Sequence, residues 1–215
     1  MKIKYNAPVL LSFVFACAIV LLLANVLGGG SVSKGQPLSN GMQFLINWFA
    51  VPGKGGFDKT NFRNWVNLVS HVLGHEGLDH LTGNLLMILV VGPMLEEIYG
   101  SLSLLLMILI TALTTGVMNI FFGPGYLLGA SGVVFMMILL ASFTNFREGE
   151  IPLTFILVMI FYLGNELVQG ISRSGGAKTD NISHFTHILG GICGSLFGFF
   201  RKGKKPLVAK EVSIN

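Results

Sequence analysis

Six long segments of this 215-residue chain are apolar and nearly free of charged side chains. A helix needs about 20 apolar residues to cross the roughly 30 Å hydrocarbon core of a membrane. Only 11% of the residues are charged, whereas a soluble domain carries about 25%, so a water-soluble globule is excluded. The sequence therefore predicts an all-α membrane protein. Its six predicted transmembrane helices cover residues 8–28, 81–99, 102–122, 127–143, 151–167 and 182–200.

The distribution of Lys and Arg predicts how these helices are oriented. Six crossings place both termini on one side, where Lys2, Lys4, Arg147 and the cations of the C-terminal tail lie. Because loops rich in Lys and Arg stay cytoplasmic, both termini are predicted to be cytoplasmic in a bacterial inner membrane. The first segment is too long for the core of a signal peptide and is interpreted as a retained helix. The sequence predicts one membrane domain, 1–205, and a short tail, 206–215.

The long first loop, residues 29–79, is predicted to contain two short amphipathic helices. Residues 42–51 are too apolar for a flexible linker, and residues 62–73 mix apolar and polar side chains around Trp65. Aromatic rings favour the boundary between lipid and water. Both helices are therefore predicted to lie at the membrane interface.

Polar side chains interrupt three of the apolar segments, and they are informative because an unpaired polar group costs several kcal/mol in hydrocarbon. They occur near the starts of the second, fourth and sixth predicted helices, which all begin at the outer face. Along the chain they are His75, Glu76, Asp79, His80 and Asn84, then Gly129, Ala130, Ser131 and Gly132, then His184 and His187.

Asn84, Ser131 and His187 are predicted to lie at a similar shallow depth, because each follows its helix start by only a few residues. A carboxamide, a hydroxyl and an imidazole are the groups that nucleophilic acyl transfer needs. Ser131 is the candidate nucleophile, since Gly129 and Gly132 leave its hydroxyl exposed and its own N–H is available to an oxyanion. The structural alternative is a serine that only packs against a neighbouring helix.

His187 is the candidate general base. Gly190, Gly194 and Gly198 follow it at spacings of three and four residues, and such a stripe of small residues lets a partner helix pack closely. If that partner is the fourth helix, Ser131 and His187 can form a catalytic dyad. The alternative is a histidine with a purely structural role.

Two other residues near His187 were candidates for the same chemistry. His184 lies one turn away and is interpreted as a residue at the rim of the site, although it could instead be the base. Asp180 is expected in a loop, and nothing in its spacing predicts a third member of a triad.

A metal site is the alternative interpretation of His71, His75 and His80. A zinc protease with the His-Glu-x-x-His motif has its histidines four residues apart, but His75 and His80 are separated by five, which turns them about 140° apart on a helix. No metal or cofactor is predicted.

The net charge and the two cysteines do not indicate a further function. The formal charge of +4 comes without a basic groove, so no nucleic-acid partner is predicted. Cys17 and Cys193 are interpreted as buried apolar side chains.

Taken together, these motifs resemble the rhomboid intramembrane serine proteases over residues 65–202. The matching features occur in the family's order, and each alone is less specific than the set. They are His75, His80 and Asn84 on the second helix, Gly92, Glu96 and Gly100 at its inner end, Gly129-Ala130-Ser131-Gly132 on the fourth helix, and His187, Gly190 and Gly194 on the sixth.

The resemblance implies a bundle of six helices with a water-filled cavity open to the outer face. It implies Ser131 as nucleophile and His187 as general base, with Asn84, His80 and the Ser131 amide forming the oxyanion hole and His75 supporting it. The implied reaction is hydrolysis of a peptide bond in or beside the transmembrane segment of another membrane protein, with the lipid bilayer as the surroundings.

Two departures from the family pattern affect this expectation. Phe135 replaces the tyrosine that often stacks on the catalytic histidine, so stacking is expected without the hydroxyl. Val66 and Asn67 stand where the family often has a Trp-Arg pair in the first loop.

Two other functions were weighed against proteolysis. A catalytically inactive rhomboid-like protein would bind transmembrane helices without needing the serine, histidine and asparagine that are present here. A small transporter or channel would show an inverted internal repeat, and the sequence shows none.

Glu166, in the fifth predicted helix, either gates substrate access or bonds to a neighbour, and the second interpretation is favoured.

Overall fold

The computed structural model describes residues 5–29, 37–143, 153–158, 160 and 180–200. Within these ranges the chain is almost entirely helical and contains no β-strand. A 3₁₀ turn, His71–Leu73, follows the third helix. The helices are α1 (Pro8–Val26), α2 (Asn40–Phe49), α3 (Phe62–Ser70), α4 (Leu78–Tyr99), α5 (Ser101–Phe122), α6 (Ser131–Ser142), α7 (Leu153–Val158) and α8 (Asp180–Phe200).

Three of these helices, α1, α4 and α5, are long and apolar enough to cross a membrane. They correspond to the first three predicted spans, and many of their large apolar side chains face outward, among them Leu22, Val90 and Leu102. A helix that is apolar on its exposed face is typical of contact with lipid. The fourth and sixth predicted spans correspond to the shorter apolar helices α6 and α8. Of the fifth, α7 covers 153–158, and most of the remainder lies outside the described residues.

The structure corrects two predicted helix starts. The second helix begins at Leu78, so His75 and Glu76 precede it rather than open it. The fourth begins only at Ser131, because Gly129 has a φ of +125°, which a right-handed helix does not accommodate. Before it, Leu127 is extended and exchanges two backbone hydrogen bonds, of 2.8 and 2.9 Å, with Val51 of the first loop.

The first loop is anchored to the bundle by buried amide side chains. Asn67 of α3 donates to the carbonyl of Ala50 over 2.8 Å, and Asn119 of α5 donates to the carbonyls of Val51 and Gly125 over 3.1 and 3.0 Å. Asn67 stands where the family's Trp-Arg pair would place its arginine, and its short amide ties α3 to the end of α2. The part of the loop that carries α2 and α3 is therefore a packed structure rather than a tether.

Helix α6 lies at the centre of the bundle and packs closely on α8. Eight of its twelve residues are buried. A Cβ at Gly190 would overlap the carbonyl of Gly132, and one at Gly194 would overlap the carbonyl of Met136. The glycine stripe of α8 therefore packs backbone to backbone on α6, which identifies the partner helix that the sequence left open.

The buried carboxylate of Glu96, near the end of α4, binds the start of α1. Its two oxygens accept hydrogen bonds of 3.0 Å from the backbone amides of Val9 and Leu10, and one also accepts from the Ser101 hydroxyl over 2.7 Å. The first amides of a helix have no partner within that helix and carry the positive end of its dipole. Glu96 satisfies two of them. Gly100, with a φ of +83°, then turns the chain into α5.

Candidate active site

Ser131 is the first residue of α6 and follows a tightly fixed turn. The amide of Gly129 donates to the carbonyl of His71 over 2.9 Å. A Cβ on Gly129 would lie 2.8 Å from two ring atoms of His80, closer than real contacts allow, and the positive φ already disfavours any side chain. Glycine is thus required at 129 for both conformation and space, and the His80 ring lies directly against the turn that leads into Ser131.

His75 supports the same turn from the loop before α4. Its Nδ1 donates to the carbonyl of Leu73 over 3.2 Å, which leaves Nε2 to accept the amide hydrogen of Ala130 over 3.4 Å. Burial, and next the nearby His80, lower the pKa of His75 to about 4. The neutral ring can therefore act as donor at one nitrogen and acceptor at the other, and so hold the residue before Ser131.

Asn84 lies two turns into α4 with its side chain buried, only 8% exposed. Its amide nitrogen, Nδ2, is buried and has no hydrogen-bond partner among the described groups. Most buried polar groups in folded proteins are paired. An unpaired donor at this position is available to an oxygen atom that arrives with a substrate.

His187 of α8 stacks on Phe135 of α6. The two ring centres are 4.2 Å apart and the ring planes are within 7° of parallel. The stacking expected of Phe135 is therefore present without the hydroxyl of a tyrosine. Phe135 lies four residues after Ser131, and residues four apart lie on the same face of a helix. The Ser131 face of α6 is thus the face that meets His187.

The structure brings most of the sequence-predicted residues together in two contacts. His75, His80 and Gly129 lie around the turn before Ser131, and Phe135 and Gly132 of α6 meet His187 and Gly190 of α8. A direct hydrogen bond between Ser131 and His187 stays a prediction. Asp180 was expected in a loop but is the first residue of α8. The side chain of His184, and Glu166, lie outside the described part of the chain.

His71 is the residue of this site whose role the sequence did not indicate. Its ring is almost fully buried, Nδ1 donates to the Asn67 carbonyl over 3.1 Å, and Nε2 lies 3.3 Å from the Thr115 hydroxyl of α5. Burial lowers its pKa to about 4. Both nitrogens are thus engaged in the fold, and the described residues contain no group of three or more His, Cys, Asp or Glu side chains that could hold a metal ion.

The site therefore defines a helical membrane protein in which a serine begins a buried helix, and that helix packs closely on a neighbour that carries a histidine. Comparison with known proteins agrees with this class. The family model of the rhomboid domain matches residues 63–204, which is more than half of the chain and includes every residue of the candidate site. The chain belongs to the rhomboid family and is an integral membrane protein.

Individual relatives are similar over more than half of the chain. The chain is 31% identical to mouse rhomboid-related protein 2 over 61% of its length and 46% of the relative's. It is 30% identical to rhomboid protease GluP of Bacillus subtilis over 62% of its length and 25% of the relative's. It is 27% identical to rhomboid protease GlpG of Pectobacterium atrosepticum over 75% of its length and 55% of the relative's. The matched region thus spans about half or less of these relatives.

Proposed function

We propose that this protein is an intramembrane serine endopeptidase that hydrolyses peptide bonds in or next to the transmembrane segments of other membrane proteins. The stacked pair of Phe135 and His187 carries this proposal, because Phe135 lies one helical turn after Ser131 and on the same face of α6. Two relatives are named as rhomboid proteases, which supports the same activity.

In this mechanism the Ser131 hydroxyl attacks the carbonyl carbon of the substrate while His187 takes its proton. The resulting oxyanion receives hydrogen bonds from the Ser131 amide, the Asn84 side chain and His80. His187 then protonates the leaving amine as the C–N bond breaks, which leaves an acyl-enzyme ester. Water attacks the ester with His187 again as base, and the second product leaves with a free carboxylate.

The groups around the dyad hold it in place in this scheme. His75 and the His71 carbonyl fix the backbone of residues 129 and 130, so that the amide of Ser131 points in a constant direction. Preorganised donors of this kind are usually a large part of the rate enhancement. The Nδ2 of Asn84 supports its role, because it has no bond to any described residue that must break before it binds the oxyanion.

We also propose the arrangement of the whole chain in its membrane. Residues 1–205 form one domain of six transmembrane helices, and the tail follows at 206–215. Both termini are cytoplasmic, the site opens to the outer face, and the membrane is the inner membrane of a bacterium. Helices α2 and α3 lie at the outer interface, which is supported by their exposed Trp48 and Trp65.

Substitution of the nucleophile tests the enzymatic proposal. Purified Ser131→Ala protein in detergent is expected to lose cleavage of a model transmembrane substrate and covalent labelling by a fluorophosphonate probe, while it unfolds at the wild-type temperature. Ser142→Ala is the matched control, since it makes the same change at the other end of α6 and should leave both signals intact. Cleavage by the Ser131→Ala protein would overturn the mechanism. A wild-type protein that is folded but unreactive toward the probe would instead indicate the inactive, helix-binding alternative.

A further inference from the structure

A polar cavity of about 200 Å³ opens on the first loop, away from the candidate active site. It lies between α2, the turn at residues 58–61 and the first turn of α3. The turn is fixed to α3, because the Trp65 indole N–H donates to the Lys59 carbonyl over 3.0 Å and the Phe57 and Trp65 rings pack edge to face. Its polar lining residues are Asn47, Asp58, Asn61, Arg63, Asn64 and Tyr126.

Arg63 gives this cavity a positive charge that no described carboxylate pairs with. Its guanidinium carbon lies 4.8 Å from the centre of the Trp48 ring, a cation–π distance that fixes the side chain. Within the described residues the guanidinium makes no hydrogen bond or ion pair. A guanidinium is always charged, and its forked donors match the oxygens of a phosphate group.

Asp58 places a negative charge on the same cavity without neutralising Arg63. Its carboxylate accepts hydrogen bonds from the amide and the hydroxyl of Thr60, over 2.9 and 2.7 Å. These bonds hold the pKa of Asp58 below its usual value, so the group is ionised at neutral pH. A ligand that complements both groups carries an anionic and a cationic end, whereas a purely anionic ligand would be repelled by Asp58.

Exposed aromatic side chains are found on the helices that border the cavity and in its lining. Trp48 of α2, Phe62 and Trp65 of α3, and the lining residue Tyr126 are 39%, 72%, 52% and 52% exposed, and such rings are enriched at the level of the lipid headgroups. A cavity bordered by these helices would open among headgroups if α2 and α3 lie at the interface. The ligands available there at high concentration are phospholipids.

We propose that this cavity binds the headgroup of a phosphoethanolamine lipid, with the phosphate at Arg63 and the ammonium at Asp58. The ammonium has N–H donors for a carboxylate and for the side-chain carbonyls of Asn61 and Asn64, whereas the trimethylammonium of a choline lipid has none. The inference rests on the interfacial placement of α2 and α3 proposed above. It gives the first loop a lipid-binding role separate from catalysis.

Lipid binding by the full chain tests this site. The purified protein is titrated in detergent with phosphatidylethanolamine, phosphatidylcholine and phosphatidylglycerol of equal acyl chains, and bound lipid is counted by native mass spectrometry. Soluble phosphoethanolamine is titrated separately. Wild type is expected to bind one phosphatidylethanolamine more tightly than the other lipids. Arg63→Gln is expected to weaken that binding by about tenfold, as loss of a charge-assisted hydrogen bond does.

Lys59→Gln is the matched control, because it removes one positive charge from the same turn at a residue that does not line the cavity. It should bind phosphatidylethanolamine as wild type does. Asp58→Asn should bind phosphatidylethanolamine and phosphatidylcholine equally. The proposal is overturned if Arg63→Gln and Lys59→Gln bind alike, if phosphatidylglycerol binds best, or if soluble phosphoethanolamine binds as tightly as the lipid.

Cleavage of a transmembrane substrate is measured on the same preparations, with Ser131→Ala as the reference. If the wild-type protein cleaves the substrate but does not bind phosphatidylethanolamine as expected, only this inference is contradicted. If it binds phosphatidylethanolamine as expected but never cleaves the substrate, only the proposed protease activity is contradicted.

Discussion

Asn84 and Asn119 are both buried asparagines, yet the fold treats their side chains in opposite ways. The Asn119 amide nitrogen donates to two backbone carbonyls, while that of Asn84 has no partner in the part of the chain that the structure describes. A buried donor that is left unpaired costs about 1–3 kcal/mol of stability. Such a cost at a single residue is typical of a group that binds something during function.

Asn84→Ala is therefore expected to lower the cleavage rate without destabilising the protein. Removal of one oxyanion donor reduces kcat by about 10²–10³ fold. Stability should not fall, because Nδ2 makes no hydrogen bond to the described residues that the alanine would remove. The measurements are kcat on a transmembrane substrate and the unfolding temperature in detergent. Asn119→Ala is the control, and it should lower the unfolding temperature because the carbonyls of Val51 and Gly125 each lose one hydrogen bond. Cleavage by Asn84→Ala at the wild-type rate would remove Asn84 from the oxyanion hole.

At the scale of elements, the contact between α6 and α8 determines the geometry of the site. The two helices approach so closely at Gly190 and Gly194 that their backbones touch. His187 lies one turn before Gly190, so the spacing of the helices at that glycine sets the distance of the imidazole from α6. Helix packing and catalytic geometry thus depend on the same contact.

A pair of variants, Gly190→Ala and Gly191→Ala, tests whether stability and cleavage depend on this contact or fall with any methyl group added to α8. The added Cβ at 190 overlaps the Gly132 carbonyl, whereas the one at 191 would lie 3.7 Å from the Leu139 side chain, an ordinary contact. Gly190→Ala is expected to lower the free energy of unfolding by about 1–3 kcal/mol and to reduce cleavage. Gly191→Ala should resemble wild type in both. Equal stability and equal cleavage for the two variants would show that the close approach is not required.

At the scale of the whole molecule, two buried neutral histidines make stability depend on pH. The pKa of His71 and of His75 is about 4 in the folded protein, against about 6.5 in an unfolded chain. Between these values the unfolded chain binds protons that the folded protein does not. The stabilising contribution is therefore complete above pH 6.5 and is lost as the pH falls toward 4.

The free energy of unfolding is expected to fall between pH 6.5 and pH 4, by at most about 3 kcal/mol for each histidine. Chemical denaturation in detergent across this range measures the slope. His71→Asn keeps a short side-chain N–H donor but does not titrate, so its slope should be shallower. An unchanged slope in that variant would mean that His71 does not titrate as its burial predicts.

Much of the bundle could be predicted from the sequence, because apolar length and glycine spacing are local patterns. They predicted the positions of α1, α4 and α5 and a closely packed partner for the glycine stripe, although not which helix that partner is. The late start of α6 could not be predicted, since it depends on the positive φ of Gly129 and on the pairing of Leu127 with Val51, a residue distant in sequence. The structural role of His71 could not be predicted either, because its partner Thr115 lies on another helix and only the fold brings them together.

The carboxylate that binds the start of α1 belongs to a residue 86 and 87 positions further along the chain. When a ribosome makes this protein, α1 emerges before α4, and its opening amides lack their acceptor until the end of α4 has been synthesised. Docking of α1 is therefore a delayed step of assembly, and a chain truncated before Glu96 would leave α1 in the lipid without its partner.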